Sequence, residues 1–466
     1  MLIANIMIAA VSVLTQGELT VRPNHCPKCP FFMRLAADGK SGAVNTARVS
    51  EEDYPKMAAR ALHLMQQAQD AKKGGALRPT LGWSSWNAFG VDITEAKILE
   101  TAELMATNGL KAAGYRYVNI DDGFMGGRGK DGKLLVNPVK FPNGLKPVVD
   151  RIHALGFKAG IYSDAGSDTC GSMYCGDKFG VGSGFYGHDD DDCRFYFGEC
   201  GFDFIKIDWC GGRKLKLDEE TRYTAIRRAM DKVKPGVRMN VCRWAYPGKW
   251  AEKIADSWRT TDDIHANWPR MKMVALANIK LADRASLGHY NDMDMLEVGY
   301  IKGSAKSPFG GRDSGLTRLE EQTHFGLWCF MSSPILLGYD IRKNDEITLA
   351  LVTNPFLLAM NQNDLGAVVE TVKEENGCFT LVKDCETANG TARYLAFFNA
   401  SDAEHDFSVA FESLALGGSV RVFDLVERAD RGAFTESFGM SIPAHGAGFY
   451  RLDAEKRLAP AAARGL

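Results

Sequence analysis

Hydrophobic positions change rhythm along the chain. Up to about residue 78 only "YPKMAARALHLMQQAQDAKK" has helical spacing, and "KKGGALRPT" after it reads as a linker. From Leu81 short apolar runs end in polar or aromatic residues, and helical stretches follow. The runs are "LGWSSWN" (81–87), "YVNIDDGF" (117–124), "KAGIYSDAG" (158–166), "FDFIKIDW" (202–209), "VRMNVC" (237–242), "DSWRTTDDI" (256–264), "GHYNDMDML" (288–296) and "PILLGYD" (334–340). Helices such as "ITEAKILETAELMATNGL" and "GLKPVVDRIHALGF" lie between them. Eight βα units over about 260 residues are what a (β/α)8 barrel requires. A doubly wound sheet needs a Gly-rich phosphate turn after its first strand, and "WSSWNAFG" is not one. After about Gly366 the segments "CFTLVKDC", "ARYLAFFNAS", "HDFSVAFESL", "GSVRVFDLV" and "GAGFYRLD" alternate, with turn residues between them and "NGT" at Asn389 as a hairpin turn. They predict an antiparallel β domain. The expected division is an N-terminal extension (1–78), the barrel (79–362), the β domain (363–455) and a tail (456–466).

Length and composition agree with two cores. The chain has 466 residues, 45% hydrophobic and 24% charged. Its 56 Lys and Arg against 58 Asp and Glu leave a net charge of −2, which argues against nucleic acid or anionic lipid as a partner. No run of eighteen apolar residues predicts a membrane span. The start "MLIANIMIAAVSVLTQ" is apolar enough for a signal h-region but lacks a basic n-region and a small-residue cleavage site. A secreted or periplasmic location is slightly favoured over the cytoplasm. Eleven cysteines leave at least one unpaired within the chain. Cys26 and Cys29 form the lone Cys-x-x-C, short of the four ligands of a structural zinc, so no metal is expected.

Polar groups recur at the C-terminal ends of the predicted strands: Trp86, Asp121 and Asp122, Asp164, Lys206 and Asp208, Cys242, Arg259 and Asp263, and Asp294. In a barrel these ends converge on the face that carries the active site. Any single Asp there can be a helix N-cap. Six acidic strand ends together with Trp86, Tyr162 and Trp258 suit a sugar instead, offering acceptors to hydroxyls and an apolar face to the ring. Glycoside cleavage needs two carboxyl groups, about 5–5.5 Å apart in a retaining enzyme. Asp208 and Asp263 end strands that can face each other across the mouth. His265 and His289 also lie near strand ends, but with no His-x-His or third ligand for a metal-dependent hydrolase.

In order and spacing, "LGWSSWN", "NIDDGF", "AGIYSDAGSDTC", "FDFIKIDWC", "SWRTTDDI", "NDMDMLEVG" and "THFGLWCFMSSPILLGYDIR" resemble the α-galactosidase / α-N-acetylgalactosaminidase family of retaining glycoside hydrolases, family 27 (melibiases, clan D), over roughly 81–455. The resemblance implies an α/β fold, a (β/α)8 TIM barrel followed by a C-terminal antiparallel β-sandwich. It implies hydrolysis of terminal α-D-galactosyl residues by double displacement, without a cofactor, on a galactose-containing oligosaccharide or glycoconjugate. It makes Asp208 the nucleophile and Asp263 the acid/base, with neighbouring Asp262 the rival. Trp86 is expected to stack on the sugar, and Asp121 and Asp122 to accept its 4- and 6-hydroxyls. Lys206 and Arg259 are expected to bind hydroxyls and keep Asp208 ionised, and Tyr162 and Asp294 to complete the pocket. Cys170 is expected to pair with Cys210.

The chain departs from the family in places. The usual "CEW" or "CSW" after strand five is here "CRWAYPG", so Cys242 and Arg243 face the substrate with a cation where an acceptor reads C2. A second family cysteine pair is missing, and the loop after strand three is extended. Its "HDDDD" run, His188 to Asp192, is expected to be a solvated first turn of a helix. Asp164 is the residue expected near C6, which favours galactose over β-L-arabinopyranose. β-L-Arabinopyranosidase and α-N-acetylgalactosaminidase activity remain the alternatives, with a non-catalytic sugar-binding protein as the reading from another class. The sequons at Asn389 and Asn399 matter only in a eukaryotic secretory pathway.

Overall fold

A computed structural model describes residues 78–300, 315–365, 368–387 and 390–458. The expectations for the apolar start, its helix, Cys26, Cys29 and Asn389 lie outside the described residues.

The barrel strands appear in the expected order but shorter: β1 (Leu81–Ser84), β2 (Tyr117–Asn119), then after a hairpin of β3 (Met125–Arg128) and β4 (Leu134–Val136), β5 (Lys158–Asp164), β6 (Phe204–Asp208), β7 (Arg238–Val241), β8 (Ser257–Arg259), β9 (Tyr290–Asp292) and β10 (Ile335–Leu337). All neighbours in the sheet β10-β1-β2-β5-β6-β7-β8-β9 run parallel. A parallel bridge from Leu296 to Leu337 joins the two ends and closes the barrel. The strands are buried on both faces, which is why they read as continuous apolar runs. The sequence put too many residues in each strand because the polar ends curl into loops and helix starts. Trp86, for one, opens a one-turn helix, Trp86–Phe89. Outer helices begin where a side chain caps them: Thr94 accepts from the Lys97 amide, Asp218 from Thr221, and Asn267 from Arg270.

Two-residue periodicity settles the direction of β6. Phe204, Lys206 and Asp208 share one face, and Ile205 and Ile207 share the other. Lys206 and Phe204 point into the barrel interior, so Asp208 emerges at its C-terminal rim.

The second domain follows the helix Pro355–Asn361. It consists of β11 (Glu370–Glu375), β12 (Cys378–Thr387), β13 (Gly390–Asn399), β14 (His405–Ala410), β15 (Leu416–Asp424), β16 (Ala429–Phe434), β17 (Ser437–Ile442) and β18 (Ala447–Arg457). Six strands pair as β11-β12-β13-β18-β15-β16, and β14 pairs with β17 over them. Phe397 fills the space between, with ring centroids 5.0 Å from Phe407 and 5.8 Å from Tyr450. Strands β11, β16 and β17 went unpredicted. Every residue of β11, "ETVKEE", is exposed, as suits a charged edge strand with no apolar face. Asn399 is fully buried, its amide donating to the carbonyls of Ala403, Ile442 and Pro443, so the sequon there has no accessible nitrogen. The barrel meets this domain along the helix Arg318–Phe330. A Cβ on Gly326 would stand 2.1 Å from the Phe449 ring of β18, so only glycine permits the approach. No described helix is long and apolar enough to cross a membrane.

Candidate active site

At the C-terminal ends of the barrel strands lies a cavity of about 400 Å3. Trp86, Asp121, Asp122, Tyr162, Lys206, Asp208, Arg259, Asp263 and Asp294 all line it. Nine expected residues from six strand-to-helix connections thus meet on one face.

The floor is built on backbone amides. Asp122 accepts from the amides of Gly123 and Gly171, both at 2.7 Å, and burial still pushes its carboxyl up to about 7. Asp121 receives Lys206 Nζ at 3.1 Å. Burial works to discharge Lys206, but Asp121, together with Cys242, Asp208 and Asp294, more than offsets it and keeps the ammonium charged. The same ammonium sits 5.3 Å from the centre of the Tyr162 ring, whose hydroxyl accepts from the Cys170 amide.

Asp208 is 5% exposed and accepts from the Trp209 amide. Burial pushes its carboxyl up to about 6, with Lys206 pulling the other way. Lys206 therefore limits the shift rather than holding Asp208 at an ordinary carboxylate value. Arg259 does something other than expected. Its Nη2 bonds Asp294 Oδ2 at 2.8 Å and Asp263 Oδ1 at 2.9 Å, so it serves these two carboxylates and not Asp208. Partial desolvation by the cavity walls would raise Asp263, but the Arg259 guanidinium, with Lys206, holds it below the usual range. Asp263 stands at the mouth with 59% of its side chain exposed. Neighbouring Asp262 also lines the cavity, but the Arg259 bond goes to Asp263. Asp294 adopts a left-handed φ of 75°, a costly conformation held by the Ile264 and Met295 amides on its carboxylate.

Cys170 and Cys210 form a disulfide, which ties the short helices after β5 and β6 together. Beside it the two loops pass backbone to backbone: a Cβ on Gly166 would lie 1.9 Å from the Gly211 carbonyl carbon. Asp164 fixes this junction. Its Oδ1 accepts from Gly166, Gly211 and Gly212 at 2.6, 3.0 and 3.2 Å. It is turned to those amides and does not line the cavity, so it is not placed to read C6. Asp164 and the two sulfurs are the only described His/Cys/Asp/Glu group close enough together to bind a metal, and there the sulfurs are bonded to each other.

Two other expectations change. Cys242 and Arg243 do not line the cavity. Cys242 lies beneath it, its sulfur 3.7 Å from Arg259 Nη1, while Arg243 turns outward to Glu219 at 2.6 Å. Trp244, the next residue, lines the wall instead. The acidic run does form the first turn of a short helix, Asp189–Cys193, in which Asp190 and Asp191 are exposed as expected while Asp192 is buried, and every carboxylate has a cationic partner. Asp189 pairs with Arg222, Asp190 with Lys232, Asp191 with Arg194, and buried Asp192 with Arg128. Trp258 is fully buried, bonded to Asn291 and stacked on His289, so neither ring reaches the sugar face. Tyr174, Cys175, Arg213, His265 and Arg270 line the mouth without having been singled out for it. Tyr174, Arg213 and Arg270 sit on helices after the strands, where strand-end reasoning has no signal; Cys175 follows the first of these helices and His265 lies in the loop after β8. Trp244 stands in "CRW" itself, beside the charge that departs from the family pattern.

The model of the family described as alpha galactosidase A matches residues 78–363, and that of the alpha galactosidase C-terminal beta sandwich domain matches 385–452. The alpha-galactosidase A of Cellvibrio japonicus is 32% identical over 398 residues, 81% of this chain and 92% of that protein. The alpha-galactosidase of Cyamopsis tetragonoloba is 32% identical over 410 residues, covering 86% and 92%. Among solved structures, alpha-galactosidase I of Mortierella vinacea superposes with a TM-score of 0.72 at 28% identity, covering 83% of this chain and all of that one. A family-27 β-L-arabinopyranosidase of Geobacillus stearothermophilus gives 0.70 at 25% identity, covering 86% of this chain and all of its own.

Proposed function

The chain belongs to glycoside hydrolase family 27, the α-galactosidases, and from that premise we propose that it removes terminal α-D-galactosyl residues with retention through Asp208 and Asp263. The observation that carries the assignment is their unequal setting in one cavity. Asp208 is buried on the floor, while Asp263 is exposed at the mouth beside Arg259. A nucleophile needs a fixed oxygen and a short path to the anomeric carbon. An acid/base needs access to the leaving oxygen and then to water.

In the first step an Asp208 oxygen bonds C1, the bond from C1 to the leaving oxygen breaks, and Asp263 gives that oxygen its proton. In the second, Asp263 takes a proton from water, the water oxygen bonds C1, and the Asp208 ester bond breaks. Two inversions leave the α configuration. In the free enzyme the proton affinities run against these roles, Asp208 being raised and Asp263 lowered. Substrate reverses the bias at Asp263. A sugar across the mouth removes its water, which raises a carboxyl, and Arg259 keeps Asp294 as partner when Asp263 turns to the leaving oxygen. Asp121 and Asp122 supply acceptors for the 4- and 6-hydroxyls, and Trp86 supplies a ring face. The substrate is a galactose-containing oligosaccharide or glycoconjugate.

The test is Asp208→Asn on p-nitrophenyl α-D-galactoside. Activity is expected to fall at least about a hundredfold, with α-galactose the first product of the wild type by NMR. Retention of more than a hundredth of wild-type activity would remove Asp208 from the role. The β-L-arabinopyranoside is the comparison substrate, since Asp164 offers no contact that favours galactose.

A further inference from the structure

Between β7 and the Ala251–Lys253 turn, the loop that forms one wall of the cavity reaches its shape through an unusual residue. Trp244 lines the cavity with φ of +64°, a left-handed conformation that a bulky side chain rarely adopts without support. The support comes from the residue before it. Arg243 Nε lies 2.6 Å from Glu219 Oε2, and its Nη1 donates to the Tyr246 carbonyl at 3.4 Å. The guanidinium thus grips the helix Glu219–Val233 on one side and closes the loop across Trp244 on the other. Both partners are about three-quarters buried, at 24% and 26% side-chain exposure. Glu219 is itself held, in the first turn after the Asp218 N-cap, where the helix dipole favours a carboxylate.

The same helix face also carries the nucleophile strand. Tyr223, one turn after Glu219, donates its hydroxyl toward the carbonyls of Ile207, Asp208 and Cys242. Its ring stacks between Trp209 and Trp250, at 5.4 and 5.8 Å. We infer that the Glu219–Arg243 pair is a strut that holds Trp244 against the sugar, so that one helix face sets both the nucleophile's strand and the facing wall. Glu219 and Arg243 are positioning residues, outside the cavity and without substrate contact. This deepens the reading above and rests on it for the identity of the sugar.

The test is a cycle of Glu219→Gln, Trp244→Gly and the double variant. Loss of a charge-assisted contact of this kind is expected to raise KM for p-nitrophenyl α-D-galactoside roughly tenfold in Glu219→Gln, with kcat and the melting temperature little changed. Glu219→Asp is expected to recover part of the loss. In the Trp244→Gly background, where glycine takes φ > 0 freely, Glu219→Gln is expected to change KM no further. An unchanged KM in Glu219→Gln, or the same rise with and without Trp244, overturns the strut. A crystal structure of Glu219→Gln gives a readout independent of activity: Trp244 retained at its left-handed φ overturns the strut even if the enzyme acts on another sugar.

Discussion

Asp208 lies between two opposing influences. Burial moves its carboxyl up to about 6, and the Lys206 ammonium two residues earlier on the same strand face restrains the rise. The acid limb of kcat/KM reports groups of the free enzyme, so it is expected near pH 6, below which Asp208 binds a proton and stops attacking. Lys206→Met removes the restraining charge, and the limb is expected to move to higher pH with a large loss of rate. A pH–rate profile of the variant with its limb unmoved would mean that another group sets it. These two residues were legible because charge at alternate positions of an apolar strand has few structural uses. The fate of Arg259 and Arg243 was not. Arg259 has Asp263 and Asp294 within reach and Arg243 has Glu219, and only the placement of these carboxylates in space decides which each guanidinium takes.

Among the elements, the junction after β5 and β6 shows how a strand-end acid becomes structural. Asp164 and Asp208 are paired in register, one strand apart, yet Asp208 lines the cavity and Asp164 caps three amides. Burial, with the Asp208 charge behind it, pushes Asp164 up to about 8, so near neutral pH it is largely protonated. Asp164→Asn keeps an uncharged side chain with a carbonyl oxygen for those amides, and is expected to cost little stability. Asp164→Ala leaves the Gly166, Gly211 and Gly212 amides without that acceptor, and is expected to cost at least about 1–3 kcal/mol. Urea unfolding of the two variants side by side checks this, with equal losses as the contrary result. The family pattern carried both acids to strand ends but could not separate their uses. The strand order was readable for a different reason, since consecutive βα units have little freedom in where they lie, while the Cys170–Cys210 pair was readable only through the family resemblance. Strands β11 and β16 lack an apolar face long enough to be seen, whereas β17 does alternate, with Phe438, Met440 and Ile442 on one face.

Across the described residues of the whole molecule, buried acids outnumber the buried cations, and stability depends on pH accordingly. Burial raises Asp122 and Glu321 to about 7, Asp164 and Glu297 to about 8, and Asp208 to about 6. Each has a folded value above its unfolded one near 4, so the folded state binds more protons between the two values. Their contribution is complete below pH 4 and is lost as pH rises through 6 to 8. His324 acts oppositely. Burial lowers it to about 3, so it favours folding increasingly as pH rises from there toward its unfolded value near 6.5. Acids such as Asp203 and Asp345 are lowered despite burial by their bonds to His153 and Arg318, and weaken the fold only when pH drops below about 4. The sum places maximum stability on the mildly acidic side, near pH 5. The melting temperature is expected to fall from there to pH 8.5 by several degrees, since about 1 kcal/mol moves the midpoint of a 150–250-residue domain by roughly 2–4 °C. Calorimetry across pH 4 to 9 tests the balance. A melting temperature that climbs steadily from pH 5 to 8.5 would mean that the buried carboxyls are ionised in the folded protein, which would also remove the basis for an acid limb near 6 at Asp208.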